Sequence, residues 1–144
     1  MLYAVPANVG KLKDERNKMK KVYLAGGFKS DWRDKVKSLT GFDFVDPKEK
    51  EFGGEWGLAE IGAWDISQIR WSDVVFAYME KTNPSGFGLA CEIGYAYGKE
   101  KCVILVLERG HETHKDKYLD FLRNVATITF DTLDDGIKFL ETMR

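Results

Sequence analysis

Two acidic residues of this chain stand at positions that are unusual for a surface carboxylate. Glu92 follows a glycine-rich loop in the segment GFGLACEIGYAYG and lies in one of the first turns of the helix predicted there. It borders an apolar stripe formed by Leu89, Ile93 and Ala96. The helical spacing of these residues predicts the side of the helix that faces the core. An acid near a helix start is also typical of a residue that only complements the helix dipole. The pattern alone therefore leaves both a catalytic and a purely structural role open for Glu92.

Asp65 interrupts a second apolar stripe. Ile61 and Ile69 lie four residues on either side of it, on the same face of a predicted helix. Because a buried carboxylate without a partner is costly, Asp65 either meets a structural donor or faces a ligand pocket. Two such carboxylates on helices that flank one strand predict a shared cleft. A pair of acids divided into nucleophile and proton donor is what cleavage of a glycosidic bond requires.

The loops after the first two predicted strands have the composition of binding loops. Ligands of open α/β sheets bind beyond the carboxyl ends of the strands, so these loops are the expected binding elements. In the first loop, Gly26 and Gly27 allow close approach of the backbone to a ligand, and Phe28 is placed to stack on a base. In the second, Asp46 opens a stiff turn near the expected substrate, and Trp56 is another candidate for stacking.

The third loop could hold a phosphate on backbone N–H groups at a helix start, with Ser85, Gly86 and Gly88 as its residues. It matches neither G-x-G-x-x-G, whose third glycine is missing, nor the P-loop, since GYAYGK is one residue too short. Ser85 is equally typical of a helix cap or a turn. His111 and His114 stand in a polar loop without further ligands at metal spacing, so we predict no metal site.

Short β-rich runs alternate with helical periods along the chain, as in a parallel sheet covered on both faces. We therefore expect an α/β fold of the flavodoxin/Rossmann-like kind, with a doubly wound five-stranded parallel sheet and three layers. The predicted strands are residues 21–25, 42–45, 73–79, 102–107 and 126–130, and the predicted helices are residues 31–39, 58–71, 89–97, 115–122 and 133–143.

Length and charge limit the classes of function. The 144 residues predict a single domain over residues 21–144, preceded by an N-terminal extension of residues 1–20. A net charge of −1 gives no positive field for a polyanion, so nucleic-acid polymers are not expected as partners. Two cysteines make no disulfide framework, and no apolar run approaches the ~18 residues of a membrane span. We expect a soluble cytoplasmic protein without a signal peptide.

Three segments together resemble the nucleoside 2-deoxyribosyltransferase family. They are VYLAGGFKSD at residues 22–31, the aspartate of AWDISQIRWSD, and GFGLACEIGYA at residues 86–96, within a likeness that spans residues 22–130. The resemblance implies that Glu92 attacks the anomeric carbon, that Tyr23 orients Glu92, and that Asp65 hydrogen-bonds or protonates the leaving base. It also implies that Asn124 reaches the site of a neighbouring subunit in a homodimer or larger homo-oligomer. The implied substrates are a deoxynucleoside or deoxynucleotide and a free nucleobase, with no cofactor.

The resemblance leaves the second substrate open. Many family members carry an aspartate that contacts the sugar in the loop before the nucleophile, whereas here no acid stands between Lys81 and Cys91. The serine-containing loop also resembles that of the related deoxynucleoside 5′-monophosphate N-hydrolases, in which water is the acceptor and Ser30 and Ser85 would bind phosphate. A non-catalytic nucleotide-binding module on the same fold is a third hypothesis. The transferase is the interpretation that the residues favour.

Overall fold

The computed structural model describes residues 18–108 and 115–144. Within these ranges strands and helices alternate as the sequence predicts. The strands are β1 (Lys20–Gly26), β2 (Phe42–Val45), β3 (Val74–Met79), β4 (Cys102–Leu107) and β5 (Ile128–Phe130). The α-helices are α1 (Trp32–Lys37), α2 (Leu58–Trp71), α3 (Phe87–Gly98), α4 (Lys115–Leu119) and α5 (Leu133–Glu141), and Pro47–Glu49 and Asp120–Val125 form 3₁₀ helices.

All strand pairs in the sheet are parallel, and the strand order is β2-β1-β3-β4-β5. The central strand β3 is buried along its whole length, which explains its continuous apolar sequence VVFAYM. The predicted fold class, a doubly wound α/β protein with a five-stranded parallel sheet, is confirmed.

Alternation along β1 determines which side chains meet which helices. Successive residues of a strand point to opposite faces of the sheet. Tyr23 packs in one apolar cluster with residues of α2 and α3, whereas Leu24 packs in a second cluster with residues of α1 and α5. The molecule therefore has three layers, and Tyr23 faces the two helices that carry Asp65 and Glu92.

Several boundaries differ from those predicted. β1 begins at Lys20, the last residue of the predicted extension, because Lys20 pairs with Phe42 in the sheet. α3 begins at Phe87 instead of Leu89, directly after a left-handed residue at Gly86. The helix predicted for residues 115–122 is an α-helix only to Leu119 and continues as the 3₁₀ helix.

The last strand is also shorter than predicted, since its pairing with β4 covers only residues 128–130. Residues 1–17 of the predicted extension lie outside the described residues. Across the described ranges, none of the helices has both the length and the apolar character needed to cross a bilayer.

Candidate active site

The strand order reverses at β1, which creates the crevice expected of a doubly wound sheet. The chain passes from β1 to α1 on one face of the sheet, and from β3 to α3 on the other face. Loops that diverge in this way leave a cleft at the carboxyl ends of the two strands. Tyr23 of β1, Asp65 of α2 and Glu92 of α3 converge beneath this cleft, where Tyr23 and Asp65 both influence the ionisation of Glu92.

Glu92 is held by the phenol of Tyr23. The Tyr23 hydroxyl donates a hydrogen bond of 3.1 Å to Oε1 of Glu92. Burial raises the pKa of Glu92 to about 7, and the negative charge of Asp65 adds to the rise, while Tyr23 and the Arg33 guanidinium oppose it. A carboxylate with a pKa near neutrality is half ionised at pH 7, so it can act as a nucleophile without being fully solvated.

The Tyr23 hydroxyl acts only as a hydrogen-bond donor toward the carboxylates of Glu92 and Asp65. Its side chain is fully buried, and burial, followed by the charges of Glu92 and Asp65, raises the pKa of Tyr23 far above its ordinary value. The phenol therefore stays protonated over the whole physiological range. The hydroxyl lies between the two acids and fixes the orientation of the Glu92 carboxylate.

One carboxylate oxygen of Asp65 accepts no hydrogen bond from the described residues. Its Oδ1 is buried and has no hydrogen-bond partner among the described residues. Burial raises the pKa of Asp65, against the opposing effects of the Tyr23 hydroxyl and the Arg33 charge. An unsatisfied buried oxygen is costly to the free protein, and a ligand N–H that hydrogen-bonds to it would remove that cost.

A cavity of ≈ 220 Å³ opens beside Asp65 and is lined by aromatic, aliphatic and charged side chains. Phe28 and Phe52 provide aromatic surface, and Asp65 provides the polar contact; Pro47, Lys48, Lys50 and Ile61 complete the lining. Phe28 and Asp65 therefore line the same cavity, and the stacking of Phe28 on a base stays a prediction. Phe52 was not predicted, although a phenylalanine in the loop after β2 was a visible signal.

Trp56 and Asp46 lie next to this pocket in different ways. Trp56 packs on Phe52, with 5.4 Å between the ring centroids, and does not line the cavity itself. The Asp46 carboxylate is buried and already engaged, with Oδ1 3.0 Å from Nε of Arg33 and Oδ2 2.8 Å from Nζ of Lys37. It also accepts a hydrogen bond from the backbone N–H of Lys48. Asp46 therefore ties the loop after β2 to α1, and direct contact with substrate remains a prediction.

Arg33 is a second residue of the site that sequence reasoning missed. It is only 2% exposed, and its guanidinium donates hydrogen bonds to the carbonyl oxygens of Gly26 and Gly27, at 2.9 and 2.5 Å. The same group lies 4.6 Å from the centre of the Phe28 ring. A cation one residue after a tryptophan, on the helical face that carries Val36, was the available signal. Arg33 holds the loop after β1 and orients Phe28.

Close backbone approach requires a glycine at the first position of this loop. Gly26 has φ 150°, and a Cβ there would lie 2.6 Å from the carbonyl oxygen of Tyr78. Gly27 accepts hydrogen bonds from Trp32 and Arg33 through its carbonyl oxygen. Both residues therefore shape the loop; whether they also contact a ligand stays a prediction.

The loop before α3 borders a cavity other than the one beside Asp65. Gly86 has φ 77°, and the N–H of Ser85 donates to Oδ1 of Asn83 at 3.1 Å in a tight turn. Ser85 and Gly86 line an apolar cavity of ≈ 330 Å³. Gly88, in the first turn of α3, leaves open space where a side chain would stand. The predicted contacts of this loop with sugar or phosphate remain predictions.

Asn124 lies in the 3₁₀ helix Asp120–Val125, where it is exposed and its amide donates to the carbonyl oxygen of Phe121 at 3.1 Å. It is not part of the cavity beside Asp65 in its own protomer. This position is compatible with the predicted contact to a neighbouring subunit.

Metal ligands are not clustered in the part of the chain that the structure describes, where no group of three or more His, Cys, Asp or Glu could hold an ion. His111 and His114 lie outside the described residues. Cys91 and Cys102 are both free thiols.

The fold and the sequence both have known counterparts. The family model described as nucleoside 2-deoxyribosyltransferase like matches residues 19–109. No curated protein matches the sequence significantly. Among solved structures, the 2-deoxyribosyltransferase from Bacillus psychrosaccharolyticus has a TM-score of 0.58 at 22% identity, covering 84% of this chain and 90% of that chain.

Two further structures share the fold at similar identity. The 2-desoxiribosyltransferase from Leishmania mexicana has a TM-score of 0.59 at 22% identity, covering 85% of this chain and 97% of that chain. A CMP N-glycosidase from Clostridium botulinum has a TM-score of 0.56 at 19% identity, covering 87% of this chain and 100% of that chain. Since the family model covers more than half of the sequence and the fold agrees with it, the protein belongs to the nucleoside 2-deoxyribosyltransferase-like family.

Proposed function

We propose that this protein cleaves the N-glycosidic bond of 2′-deoxynucleosides, with Glu92 as the nucleophile, and transfers the deoxyribosyl group to a second nucleobase. The observation that carries the proposal is the arrangement of Tyr23, Glu92 and Asp65, in which one carboxylate is oriented and the other has a free acceptor. Membership of the family supports it. Such a reaction belongs to purine or pyrimidine salvage.

In the first half-reaction, an oxygen of the ionised Glu92 carboxylate attacks C1′ of the deoxyribose. The bond between C1′ and the base nitrogen breaks, and its electron pair leaves with the base. Protonated Asp65 donates a proton to the departing ring, which leaves it as a neutral base. In the reactive form the pair therefore carries its negative charge on Glu92 and its proton on Asp65, and burial raises the pKa of Asp65, which is the direction that this form requires.

The intermediate is an ester between Glu92 and C1′. In the second half-reaction, a nitrogen of another base attacks C1′ from the face that the first base left, and the proton it loses passes to Asp65. The ester bond breaks and restores the Glu92 carboxylate, so configuration at C1′ is retained. If water attacks instead, the products are the free base and the free sugar, which is deoxyribose 5-phosphate in the alternative N-hydrolase reaction on a 5′-monophosphate. Neither half-reaction calls for a cofactor.

The proposed base subsite is the cavity beside Asp65. Its volume of ≈ 220 Å³ is sufficient for a heteroaromatic ring, and Phe28 and Phe52 offer surfaces for stacking. The unpartnered Oδ1 of Asp65 would accept a hydrogen bond from the base. This combination supports recognition of a ring with an N–H group on its edge.

The experiment is a base-exchange assay. The purified protein is incubated with each deoxynucleoside and a second free base, and separately with each deoxynucleoside 5′-monophosphate, and the products are separated by chromatography. We expect a new deoxynucleoside in the first reaction. Free deoxyribose 5-phosphate from the second would identify the N-hydrolase instead, and absence of turnover in both would support a non-catalytic binding module.

Glu92→Gln tests the nucleophile in the same assay. It removes the attacking oxyanion but keeps an acceptor for Tyr23, and we expect turnover to fall about 10³-fold or more. Glu141→Gln, a change of the same kind at an exposed residue of α5, is the matched control. Near-normal turnover in the Glu92 variant would exclude the covalent mechanism.

A further inference from the structure

Glu80 is a buried acid that the proposed mechanism does not use. It directly follows β3, is only 8% exposed, and stands immediately before the acid-free stretch that begins at Lys81. Its Oε1 accepts a hydrogen bond from the hydroxyl of Ser30, and its Oε2 accepts one of 3.4 Å from the hydroxyl of Thr82. The carboxylate is therefore fixed in place by two neutral donors, without a direct salt bridge in the described part of the chain.

This acid forms one wall of a cleft of ≈ 260 Å³ at the reversal of strand order. Gly27 and Phe28 of the loop after β1 form one side, Glu80 and Asn83 of the loop after β3 form the other, and Lys29, Thr82 and Pro84 complete the lining. Phe28 also lines the cavity beside Asp65, so the two cavities adjoin at this ring.

The relation of the two cavities suggests how a nucleoside would lie. With the base in the cavity beside Asp65 and C1′ at Glu92, the sugar extends over the end of β1, and its 5′ end points toward the cleft. We infer that Glu80 forms the wall of the 5′ subsite and makes the enzyme select a 5′-hydroxyl over a 5′-phosphate. This inference rests on the proposed function and names the substrate class of that site.

The chemistry of the two substituents explains the selection. A 5′-hydroxyl can donate a hydrogen bond to a carboxylate, whereas a 5′-phosphate carries a charge of about −1.5 to −2 at pH 7 and offers mainly acceptor oxygens. Like charges brought together in a desolvated site repel strongly, because solvent and salt screen them poorly there. Two cations lie near this carboxylate. Lys29 lines the same cleft but its side chain is exposed, and the buried Arg33 guanidinium, which interacts with the Glu80 charge, is already paired with Asp46, so neither neutralises Glu80 fully.

The test is the substitution Glu80→Gln, which removes the charge and keeps the shape and an acceptor for Ser30. The measured quantity is the ratio of kcat/KM for a deoxynucleoside to kcat/KM for its 5′-monophosphate. We expect the wild-type ratio to exceed one, and the substitution to lower it about tenfold or more. If Glu80 only links the two loops structurally, the substitution would lower kcat/KM for both substrates and leave this ratio unchanged.

Glu141→Gln, the same substitution at an exposed residue of α5, is the matched control. We expect its ratio to stay at the wild-type value. A wild-type preference for the monophosphate, an unchanged ratio in Glu80→Gln, or an equal change in Glu141→Gln would each overturn the role of Glu80.

Failure of the proposed function has a different signature, namely a wild-type protein inactive on every deoxynucleoside and monophosphate. Binding of the same pairs by titration calorimetry then still tests Glu80. A gain of about tenfold in monophosphate affinity on Glu80→Gln, without a gain for the deoxynucleoside, would support the selection. No differential gain would refute it.

Discussion

The burial that raises the pKa of Glu92 also destabilises the folded chain. The ordinary pKa of 4.5 applies to the unfolded state, and the pKa of about 7 applies to the folded state. Between these values the folded state binds a proton that the unfolded state has lost, so the free energy of unfolding falls as pH rises through this window. Above pH 7 the folded protein keeps an ionised, partly buried carboxylate, at a cost on the order of 1–3 kcal/mol.

Glu92→Gln removes this titration, and we expect it to stabilise the protein at pH 8. The expected gain in the free energy of unfolding is about 1–3 kcal/mol at pH 8, and it should vanish near pH 4, where the wild-type carboxyl is protonated in both states. Urea denaturation at the two pH values measures it. Glu141→Gln, at an exposed ion pair with Arg144, should change stability by under about 1 kcal/mol. A loss of stability at pH 8 in the Glu92 variant would contradict the burial argument.

The helix α1 holds the loops of the site mainly through Arg33, with Trp32 and Lys37 as further donors. The helix has only six residues, so its packing depends on Trp32, Arg33 and Val36, its three buried residues. Arg33 links this helix to the loop that carries Phe28, and through Asp46 to the loop after β2. The position of Phe28 over the proposed base subsite therefore depends on a residue that does not line the cavity beside Asp65.

We expect Arg33→Met to lower the free energy of unfolding by about 3 kcal/mol, because it leaves the buried Asp46 carboxylate with one cation fewer and removes the guanidinium donor from three carbonyl oxygens, of which that of Gly27 keeps Trp32 as a donor. Lys35→Met, at an exposed position of the same helix, should change it by less than about 0.5 kcal/mol. Urea midpoints of the two variants and the wild type give the comparison. If Arg33→Met and Lys35→Met both changed the free energy of unfolding only slightly, the Arg33 guanidinium would contribute little to stability beyond the packing of the side chain's aliphatic part.

The elements themselves were predictable, because apolar periodicity records burial directly. The strand 42–45, the strand 102–107 and the helix 58–71 have the predicted bounds. Asp65 was identifiable because a charge interrupts an apolar stripe, which a local pattern reveals. Arg33 and Glu80 were not identified, since their partners lie outside their own helix or strand, 7 and 50 residues away along the chain, and a charged residue beside a turn is ordinarily solvated.

At the scale of the whole molecule, the surface near α3 and α4 suggests association with a second copy. Phe87, Tyr118 and Phe121 are 80%, 73% and 70% exposed, and the first two line the apolar cavity of ≈ 330 Å³. Exposed aromatic residues at an apolar cavity are typical of protein interfaces. Asn124 belongs to the same 3₁₀ helix as Phe121. We propose that this surface joins subunits and brings Asn124 to the neighbouring site.

Mixing two inactive variants tests whether the active site is shared. In a dimer of Glu92→Gln with Asn124→Ala, one of the two sites combines an intact Glu92 with the intact Asn124 of the other subunit. Each variant alone should show little turnover, whereas coexpression in equal amounts should restore about a quarter of wild-type activity, because half of the dimers are mixed and each has one complete site. A mixture of Glu92→Gln with a variant of Tyr23, a residue of the same protomer's site, should restore none, since neither subunit then supplies a complete set. Full activity of Asn124→Ala alone, or an active monomer in sedimentation, would contradict a shared site.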